Sequence, residues 1–324
     1  MIISSAPLRI SFFGGGSDIP QFYRNSPGMV ISTAIDRRIK IAVNPCETDH
    51  VRAVYSEMEV VKDASELKHD RIRHALGIFE TQRKIEICSF SDVPTKGTGL
   101  GSSSTFIVAL VNALYKLKCL PYNKRDLAEL ASNIEIDFCG EPIGKQDQYA
   151  AAYGGFNCIR FDSSGVEVTP IPLSSAILGV LNERLICYST GVNRKTSDIL
   201  GEQVANLQTQ STVDATKELV QIAEEGLRLL KSEKLHDFGA LLHSTWEQKK
   251  KLASSISNPH IDAMYEEGRK AGAIGGKLLG AGGGGYMLFY VPHERHANFK
   301  AHMRKHYKQF HISFTDIGSE AFKL

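Results

Sequence analysis

Pro94-Thr-Lys-Gly-Thr-Gly-Leu-Gly-Ser-Ser-Ser-Thr105 is the stretch that decides the fold, and the apolar run Phe106-Ile-Val-Ala-Leu-Val-Asn-Ala-Leu114 follows it directly. Glycines and hydroxyl residues before an apolar run predict a flexible loop that enters a buried helix. The N-terminus of such a helix has unpaired N–H groups and a partial positive charge, so it suits an anion, above all phosphate. Ser102, Ser103 and Ser104 offer hydroxyls for a helix cap, a phosphate or a metal ion. For this segment alone, an ordinary capped helix after a surface turn is the alternative.

Size and composition narrow the class of protein. The chain has 324 residues, which predicts one large domain or two, and its 42% hydrophobic and 23% charged residues are typical of a globular protein. A net charge of +2 provides no strong field for nucleic acid or a membrane surface, so neither is expected as a partner. The start of the chain lacks the pattern of a signal peptide, and no apolar run of about 18 residues predicts a membrane span.

The cysteines indicate a reducing compartment. They are scattered without a CxxC pair or a histidine spacing that suits zinc. Most lie in apolar sequence, so we expect reduced core residues in a cytoplasmic protein. The six are Cys46, Cys88, Cys119, Cys139, Cys158 and Cys187.

The pattern along the chain predicts a strand-rich first half and an α+β second half. Strand signals dominate up to residue 90, with Val30–Ile35 and Arg38–Val43 as two strands separated by polar residues. The second half combines helical spacing with short strands, the last over His311–Phe314. Two prolines mark a boundary near the middle, so we expect domains at 1–172 and 173–324.

Two further glycine-rich stretches lie near the ends of the chain. Gly14-Gly-Gly-Ser-Asp18 follows a strand, and Gly275–Gly285 precedes another. Taken alone, the first fits a turn and a helix cap, and the second fits a β-bulge or tight helix–strand packing. The functional alternative is that both bring backbone close to a bound ligand.

Two acids flank a glycine-rich break and are candidates for chemistry. Glu135 and Asp147 lie twelve residues apart, and the loop between them can bring both carboxylates to one site. Glu135 suits Mg²⁺, and Asp147 suits an acceptor hydroxyl in line with a γ-phosphate. Each taken alone also fits a solvated surface acid. The GxxxxGK[ST] phosphate loop and the GxGxxG dinucleotide fingerprint are absent from the sequence.

Three motifs in order resemble those of the GHMP kinases, the family of galactokinase, homoserine kinase, mevalonate kinase and phosphomevalonate kinase. They are Ala6-Pro-Leu-Arg-Ile-Ser-Phe-Phe-Gly-Gly-Gly-Ser-Asp18, Gly97-Thr-Gly-Leu-Gly-Ser-Ser-Ser104 and Lys277-Leu-Leu-Gly-Ala-Gly-Gly-Gly-Gly285. The resemblance implies an α/β (α+β) fold of two domains. The N-terminal domain would be α/β and like ribosomal protein S5, with a β-α-β unit of unusual hand. The C-terminal domain would be ferredoxin-like α+β, and ATP would lie between the two.

The same resemblance implies roles for individual residues. Asp147 matches the catalytic aspartate, and Arg9 matches the basic residue beside it. Ser103 and Glu135 match the Mg²⁺ ligands. The residues implied for the triphosphate of ATP are Lys96, Gly97, Gly99, Leu100, Gly101, Ser102, Ser103 and Ser104. Those implied for the acceptor are Asp18, Gly15, Gly16, Ser17, Gly282, Gly283 and Gly284.

Within the family, the opening motif and Gly144-Lys-Gln-Asp-Gln-Tyr-Ala-Ala-Ala-Tyr-Gly-Gly155 are most similar to bacterial D-glycero-D-manno-heptose 7-phosphate kinases. Galactokinases carry Glu-His where this chain has Gly15-Gly16, which makes galactose doubtful and leaves room for a longer sugar. The implied reaction transfers the γ-phosphoryl group of ATP to the anomeric hydroxyl. A distal phosphate needs cations, and Arg194 with Lys195 in a polar loop are the first candidates.

Other functions stay open at this point. The chain fits another sugar 1-kinase with a galactose- or fucose-like acceptor, or a non-catalytic sensor that binds ATP and sugar. A decarboxylase of the mevalonate pathway is less compatible with Asp18. The partners expected are therefore a sugar phosphate and ATP, and a homodimer is open.

Overall fold

The computed structural model describes residues 1–94, 97–192 and 196–324. The first part of the chain builds one mixed sheet with helices packed against it. Its elements are β1 (Ile2–Phe13), α1 (Pro20–Tyr23), β2 (Gly28–Pro45), β3 (Val51–Val54), β4 (Met58–Val61), α2 (Asp70–Ile78), β5 (Ile85–Ser91), α3 (Ser102–Leu117), α4 (Lys124–Asn133), α5 (Gln146–Tyr153), β6 (Phe156–Asp162) and β7 (Gly165–Pro170).

The second part contributes most of its length to helices. Its elements are α6 (Ser175–Arg184), β8 (Leu185–Ser189), α7 (Thr196–Asn206), α8 (Gln210–Lys231), α9 (Leu235–Lys250), α10 (Pro259–Lys270), β9 (Gly275–Leu278), β10 (Tyr286–Tyr290), α11 (His296–Met303), β11 (Gln309–Phe310) and β12 (Glu320–Lys323). A π-helical segment, Ile134–Phe138, continues α4, and three short 3₁₀ turns lie at 64–66, 254–256 and 293–295.

Two sheets organise these elements. The first has eight strands in the order β12-β1-β2-β5-β3-β4, with β6 also paired to β2 and β7 paired to β6. Only the β3–β5 pairing in it is parallel. The second sheet is antiparallel in the order β11-β8-β10-β9. An α/β unit followed by an α+β unit confirms the predicted fold class.

Helix α3 forms the centre of the first unit. It begins after Gly101, which caps it in the left-handed conformation (φ 78°) without a side-chain hydrogen bond, so the serines do not cap it. Its apolar residues are buried almost all round, and it packs on β1, β2, α4 and α5. Burial of each large aliphatic side chain contributes about 1.5–3 kcal/mol, so this helix anchors the loop that precedes it.

The second strand differs from its prediction. Residues 28–45 form one strand rather than two, because Pro7 pairs with Arg38 while Leu8 pairs with Ile35. The polar residues between those partners are taken up as a bulge, which bends the strand without ending it. The final strand prediction is also wrong: Gln309–Phe310 pairs with β8, and His311–Phe314 adds only an isolated bridge from Phe314 to Ile35.

The two parts of the chain are in extensive contact. Helix α8 packs on β1 and β2, and Gly226 of α8 lies against the Phe13 ring, where an added Cβ would stand 2.4 Å from the ring. The last strand, β12, returns to pair with β1. The domain boundary at 172/173 stays a prediction. Strand β12 follows this boundary in sequence, yet it belongs to the sheet of the first part of the chain.

Two smaller predictions concern cysteines and membranes. All six cysteines are free thiols, but only Cys158 and Cys187 are buried, so the expectation of core positions holds for two of them. Across residues 1–94, 97–192 and 196–324, we find no helix with the length and apolar character needed to cross a bilayer.

Candidate active site

A cavity of about 990 Å³ collects residues from both parts of the chain. Arg9, Asp18, Ser103, Glu135 and Asp147 all line it, although they are spread over 139 positions of sequence. The volume lies at the upper end of the range of small-molecule sites, roughly 300–1,000 Å³. Four aromatic side chains also line the cavity: Tyr55, His69, Phe90 and Phe106. The cavity therefore has room for a nucleotide beside a second small molecule.

The Arg9–Asp147 pair lies at the junction of β1, α5 and the glycine–serine loop. The Arg9 guanidinium donates to both carboxylate oxygens of Asp147, at 2.7 and 2.9 Å, and its third nitrogen donates to Gly99 O at 2.7 Å. Arg9 is only 4% exposed, while the Asp147 side chain is 22% exposed. A planar two-point ion pair of this kind fixes the orientation of a carboxylate. Asp147 is thus held rigidly with part of its surface open to the cavity.

Asp18 lies beside this pair and is held by backbone and amide donors. Its carboxylate accepts from Gly16 N at 3.0 Å, from Gln146 N at 3.2 Å and from Gln146 Nε2 at 3.0 Å. Gly144 is required here, because a Cβ on it would lie 2.0 Å from Asp18 Oδ2. Burial and, secondarily, the nearby Asp147 carboxylate raise the pKa of Asp18. Asp18 does not cap a helix, since α1 begins after Ile19.

Ser103 and Glu135 meet at the other side of the loop. Ser103 Oγ donates to Glu135 Oε1 at 3.0 Å, and Gln148 Nε2 donates to Oε2 at 2.6 Å. Arg71 also donates to Oε1, at 2.9 Å, and to Glu141 at 3.0 Å. Glu135 is fully buried, in the π-helical continuation of α4. Such π-helical turns often lie at functional sites.

These residues fit a Mg²⁺ ion in donor chemistry. A serine hydroxyl and a carboxylate are hard oxygen ligands, and Mg²⁺ takes one or two protein oxygens together with substrate phosphates. Within the part of the chain that the structure describes, the buried Gln148 Oε1 has no hydrogen-bond partner although its amide nitrogen holds Glu135. An unpaired buried oxygen beside the carboxylate suits a bound cation or its water shell. In this structure Arg71 donates a hydrogen bond to Glu135, the same carboxylate that the ion would bind.

Two glycine-rich loops touch through their backbones at this site. A Cβ on Gly99 would lie 2.2 Å from Leu279 O, and one on Gly280 would lie 2.3 Å from Gly99 Cα. Gly285 is similarly close, with its added Cβ 2.5 Å from Thr98 O. The absence of side chains lets the loop from the second part of the chain lie directly on the loop before α3.

Several predicted residues lie elsewhere. Leu100 is buried in the core and only its carbonyl, which accepts from Arg9 N at 3.1 Å, approaches the site. Ser17 does not line the cavity, since its hydroxyl is used by the backbone of Gly14 and Met29. Gly282 and Gly283 pack against Ile256, with Gly282 partly exposed, and Gly283 and Gly284 are buried. Gly280 and Ala281 of the same loop line the cavity, and the role of the three following glycines in acceptor binding stays a prediction.

The remaining predicted residues divide into two groups. Lys96, Arg194 and Lys195 lie outside the described residues. The others line the cavity, and their roles stay predictions: Gly15, Gly16, Gly97, Gly99, Gly101, Ser102, Ser103 and Ser104.

The cavity residues that sequence reasoning missed include Arg71, Gln146 and Lys249. The signal for Lys249 was available. Leu242, Trp246 and Lys249 follow the three- and four-residue spacing of the buried face of α9, so the lysine falls on the buried stripe. However, Lys249 is the first of three consecutive lysines, a pattern that is typical of a solvent-exposed helix end. Arg71 has no such signal, because its partners Glu135 and Glu141 are distant in sequence.

Comparison with known proteins gives a consistent result. The model of the GHMP kinases N terminal domain matches residues 60–155, and that of the GHMP kinases C terminal region matches residues 227–309. A D-glycero-alpha-D-manno-heptose 7-phosphate kinase of Campylobacter jejuni is 29% identical, covering 100% of this chain and 99% of that protein. A bifunctional fucokinase/GDP-fucose pyrophosphorylase of Arabidopsis thaliana is 26% identical over 87% of this chain and 29% of its own length.

A solved structure supports the same architecture. A crystal structure of a D-glycero-D-manno-heptose 1-phosphate kinase from Bacteroides thetaiotaomicron is similar to this chain with a TM-score of 0.83. It covers 100% of this chain and 99% of that one at 24% identity, a level that establishes the fold alone.

Proposed function

Because this chain belongs to the GHMP kinase family, we propose that it is an ATP-dependent kinase for D-glycero-D-manno-heptose 7-phosphate. The family and its sugar-kinase relatives establish that the chain is a kinase that phosphorylates a sugar hydroxyl. The proposal adds the acceptor and the anomeric hydroxyl as its reacting group. It also places the reaction in the synthesis of a nucleotide-activated heptose for surface polysaccharide, in the cytoplasm.

The observation that carries the proposal is the link between Asp18 and Asp147. Gln146 donates to Asp18 and is the immediate neighbour of Asp147, whose carboxylate is fixed by Arg9. A carboxylate that accepts hydrogen bonds from ring hydroxyls therefore lies next to one that can act on a single hydroxyl. Gly15 and Gly16 line the cavity without side chains, and even an added Cβ on Gly15 would make only ordinary contacts, which supports a sugar longer than a hexose.

The chemistry follows from this arrangement. Asp147 accepts the proton of the acceptor hydroxyl. The hydroxyl oxygen forms a bond to the γ-phosphorus, and the bond between the γ-phosphorus and the oxygen that leaves with ADP breaks. Arg9 holds the Asp147 carboxylate in orientation, and its positive charge lies beside the hydroxyl that loses the proton. Ser103 and Glu135 would hold Mg²⁺, which when bound neutralises negative charge on the phosphates. The N–H groups at the start of α3 face the same charge.

The product of the reaction tests the proposal directly. With ATP and D-glycero-D-manno-heptose 7-phosphate, we expect a new phosphate ester on the anomeric carbon, seen by ³¹P NMR with coupling to the anomeric proton. Galactose, fucose, mannose and mevalonate serve as competing acceptors. A product phosphorylated elsewhere, or preferential use of galactose or fucose, would contradict the proposed acceptor. ATP binding without any transfer would favour a sensor instead.

The metal site gives a second test. Glu135→Gln keeps the shape of the side chain but removes its charge, so we expect the Mg²⁺ concentration for half-maximal rate to rise at least about tenfold. Calorimetry should show a matching loss of Mg²⁺-dependent ATP binding, with acceptor binding little changed. Glu141→Gln is the matched control, because Glu141 lines the same cavity and binds the same arginine, Arg71. Equal Mg²⁺ requirements in the two variants would rule out Glu135 as a ligand.

A further inference from the structure

Lys249 is a buried cation in the cavity that the reaction described above does not use. It lies near the C-terminal end of α9 and is only 6% exposed. Its ammonium donates a hydrogen bond to Gly280 O, the backbone of the glycine-rich loop from the second part of the chain. It lines the cavity together with Arg9, Asp18 and Asp147. A side chain of the second part of the chain is therefore presented to the acceptor region.

The ammonium lies next to the loop that would hold the sugar. A Cβ built on Gly15 would be 4.0 Å from Lys249 Nζ and 3.7 Å from Gln146 Nε2. That same amide nitrogen donates to Asp18. Ser11 Oγ is also close, 3.6 Å from the same point, and within the described residues it has no hydrogen-bond partner. The open volume beside Gly15 is thus bordered by an ammonium, an amide and an unpaired hydroxyl.

The charge of this ammonium is poorly compensated within the protein. An ammonium has three N–H donors, and Gly280 O accepts from one of them. Within residues 1–94, 97–192 and 196–324, no carboxylate lies within 4.0 Å of Nζ. A buried charge that lacks a direct counter-ion is costly, and a bound anion removes that cost.

The electrostatic surroundings are mixed. Burial, and next the Arg9 guanidinium, lower the pKa of Lys249 to about 8, while Asp18 and Asp147 act in the opposite direction. The fully buried Lys277 donates to Ser11 O and Phe12 O, and burial, followed by the nearby Lys249, lowers the pKa of Lys277 well below its ordinary value. Arg9 is already neutralised by Asp147, whereas Lys249 lines the same cavity and has N–H donors left for a ligand.

We propose that Lys249 binds the phosphate group that the acceptor sugar already carries, and so selects a phosphorylated over an unphosphorylated sugar. The inference deepens the proposed function and rests on it for the identity of the sugar. The phosphate oxygens would accept from the free N–H donors of Lys249, with the unpaired Ser11 hydroxyl as an additional donor nearby. The role is one of binding and specificity, separate from the proton transfer at Asp147.

The test compares two acceptors in three proteins. The acceptors are D-glycero-D-manno-heptose 7-phosphate and the same heptose without phosphate, and the proteins are wild type, Lys249→Met and Lys251→Met. Lys251 is an exposed lysine at the end of the same helix, so its variant controls for the loss of a positive charge. Wild type and Lys251→Met should prefer the phosphorylated sugar. In Lys249→Met we expect the ratio of the two kcat/KM values to fall by about 10- to 100-fold, mainly through KM.

The pH profile separates a binding role from a structural one. Lys249 is charged below its pKa of about 8, so kcat/KM for the phosphorylated sugar should fall as the pH rises through that value. Activity with the unphosphorylated sugar should show no such step, and Lys249→Met should lose the step altogether. Lys249→Arg should restore part of the preference and move the step to higher pH, because an arginine stays charged.

Two results would overturn the inference. One is an unchanged preference in a folded Lys249→Met protein, and the other is an equal loss for both acceptors, which would indicate a contact to a hydroxyl or a structural role. Should the variant not fold, Lys249→Gln and Lys249→Arg supply the same comparison. Calorimetry of heptose 7-phosphate with an unreactive ATP analogue measures binding without turnover. Lys249-dependent binding without transfer to the anomeric oxygen would refute the proposed function and leave this inference standing.

Discussion

Asp147→Asn is expected to lower kcat by about 10²- to 10⁴-fold while ATP affinity stays within about twofold of wild type. The amide has the size of the carboxylate but cannot accept the proton of the acceptor hydroxyl. It also replaces one of the two oxygens that accept from Arg9, at 2.7 and 2.9 Å, with an N–H donor. Steady-state kinetics and calorimetry with ATP measure the two quantities separately.

A matched control and a second variant sharpen this test. Asp137→Asn changes an exposed acid that does not line the cavity, so it should leave kcat near the wild-type value. Arg9→Met should also lower kcat, because the Asp147 carboxylate loses its fixed orientation. The double variant should be far less impaired than the product of the two single effects, since the pair acts as one unit. Near-normal turnover in folded Asp147→Asn would remove this residue from the chemistry.

The local parts of the fold were predictable from sequence because they depend on neighbouring residues. Glycines and serines before an apolar run predicted the start of α3, which begins at Ser102. Helix α4 begins with a full capping box in which Asn123 and Asp126 exchange hydrogen bonds, and such a cap depends on residues only three positions apart. The single long β2 was not predictable, because the polar residues 36 and 37 fit either a turn or a bulge until the partner strand is known.

The site was predictable where a motif carried it and not where only tertiary contact does. The motifs indicated Asp18 and Asp147, and the structure places both in one cavity. Arg71 comes from α2, 64 residues before Glu135, and no spacing rule links them. Leu100 and Ser17 belong to two of these motifs, yet Leu100 is buried in the core and the Ser17 hydroxyl is hydrogen-bonded within a turn. A motif thus identifies a loop, but packing decides which of its residues face the ligand.

The second large effect is expected at the contact between the two glycine-rich loops. Gly99→Ala should lower the free energy of unfolding by about 2–5 kcal/mol, the sum of overpacking and a left-handed backbone for a non-glycine residue. Gly99 has φ +73°, and its added Cβ would lie 2.2 Å from Leu279 O and 2.7 Å from Leu279 C. Both atoms belong to backbone, so no side-chain rotation relieves the clash.

The same substitution should also lower the catalytic rate, because Gly99 helps to position Arg9. Gly99 O accepts from the Arg9 guanidinium at 2.7 Å, and Arg9 holds Asp147. If the loops separate, this anchor moves together with the N–H groups that face the phosphates. We therefore expect ATP affinity to fall at least about tenfold and kcat to fall as well, because small displacements of a positioned carboxylate are costly to rate. Urea unfolding, calorimetry with ATP and steady-state kinetics provide the three measurements.

Gly77→Ala is the control for this prediction, since it makes the same chemical change without the contact. Gly77 lies inside α2, and an added Cβ there meets nothing within 4 Å. Its replacement should raise the free energy of unfolding by about 0.5–1 kcal/mol, the usual gain from alanine in a helix, and leave ATP binding unchanged. A Gly99→Ala protein as stable as Gly77→Ala, with normal ATP affinity, would mean that the two loops do not touch in solution. The loop before α3 would then be free of the second part of the chain, and the effect of Gly99 on Asp147 through Arg9 would have to be abandoned.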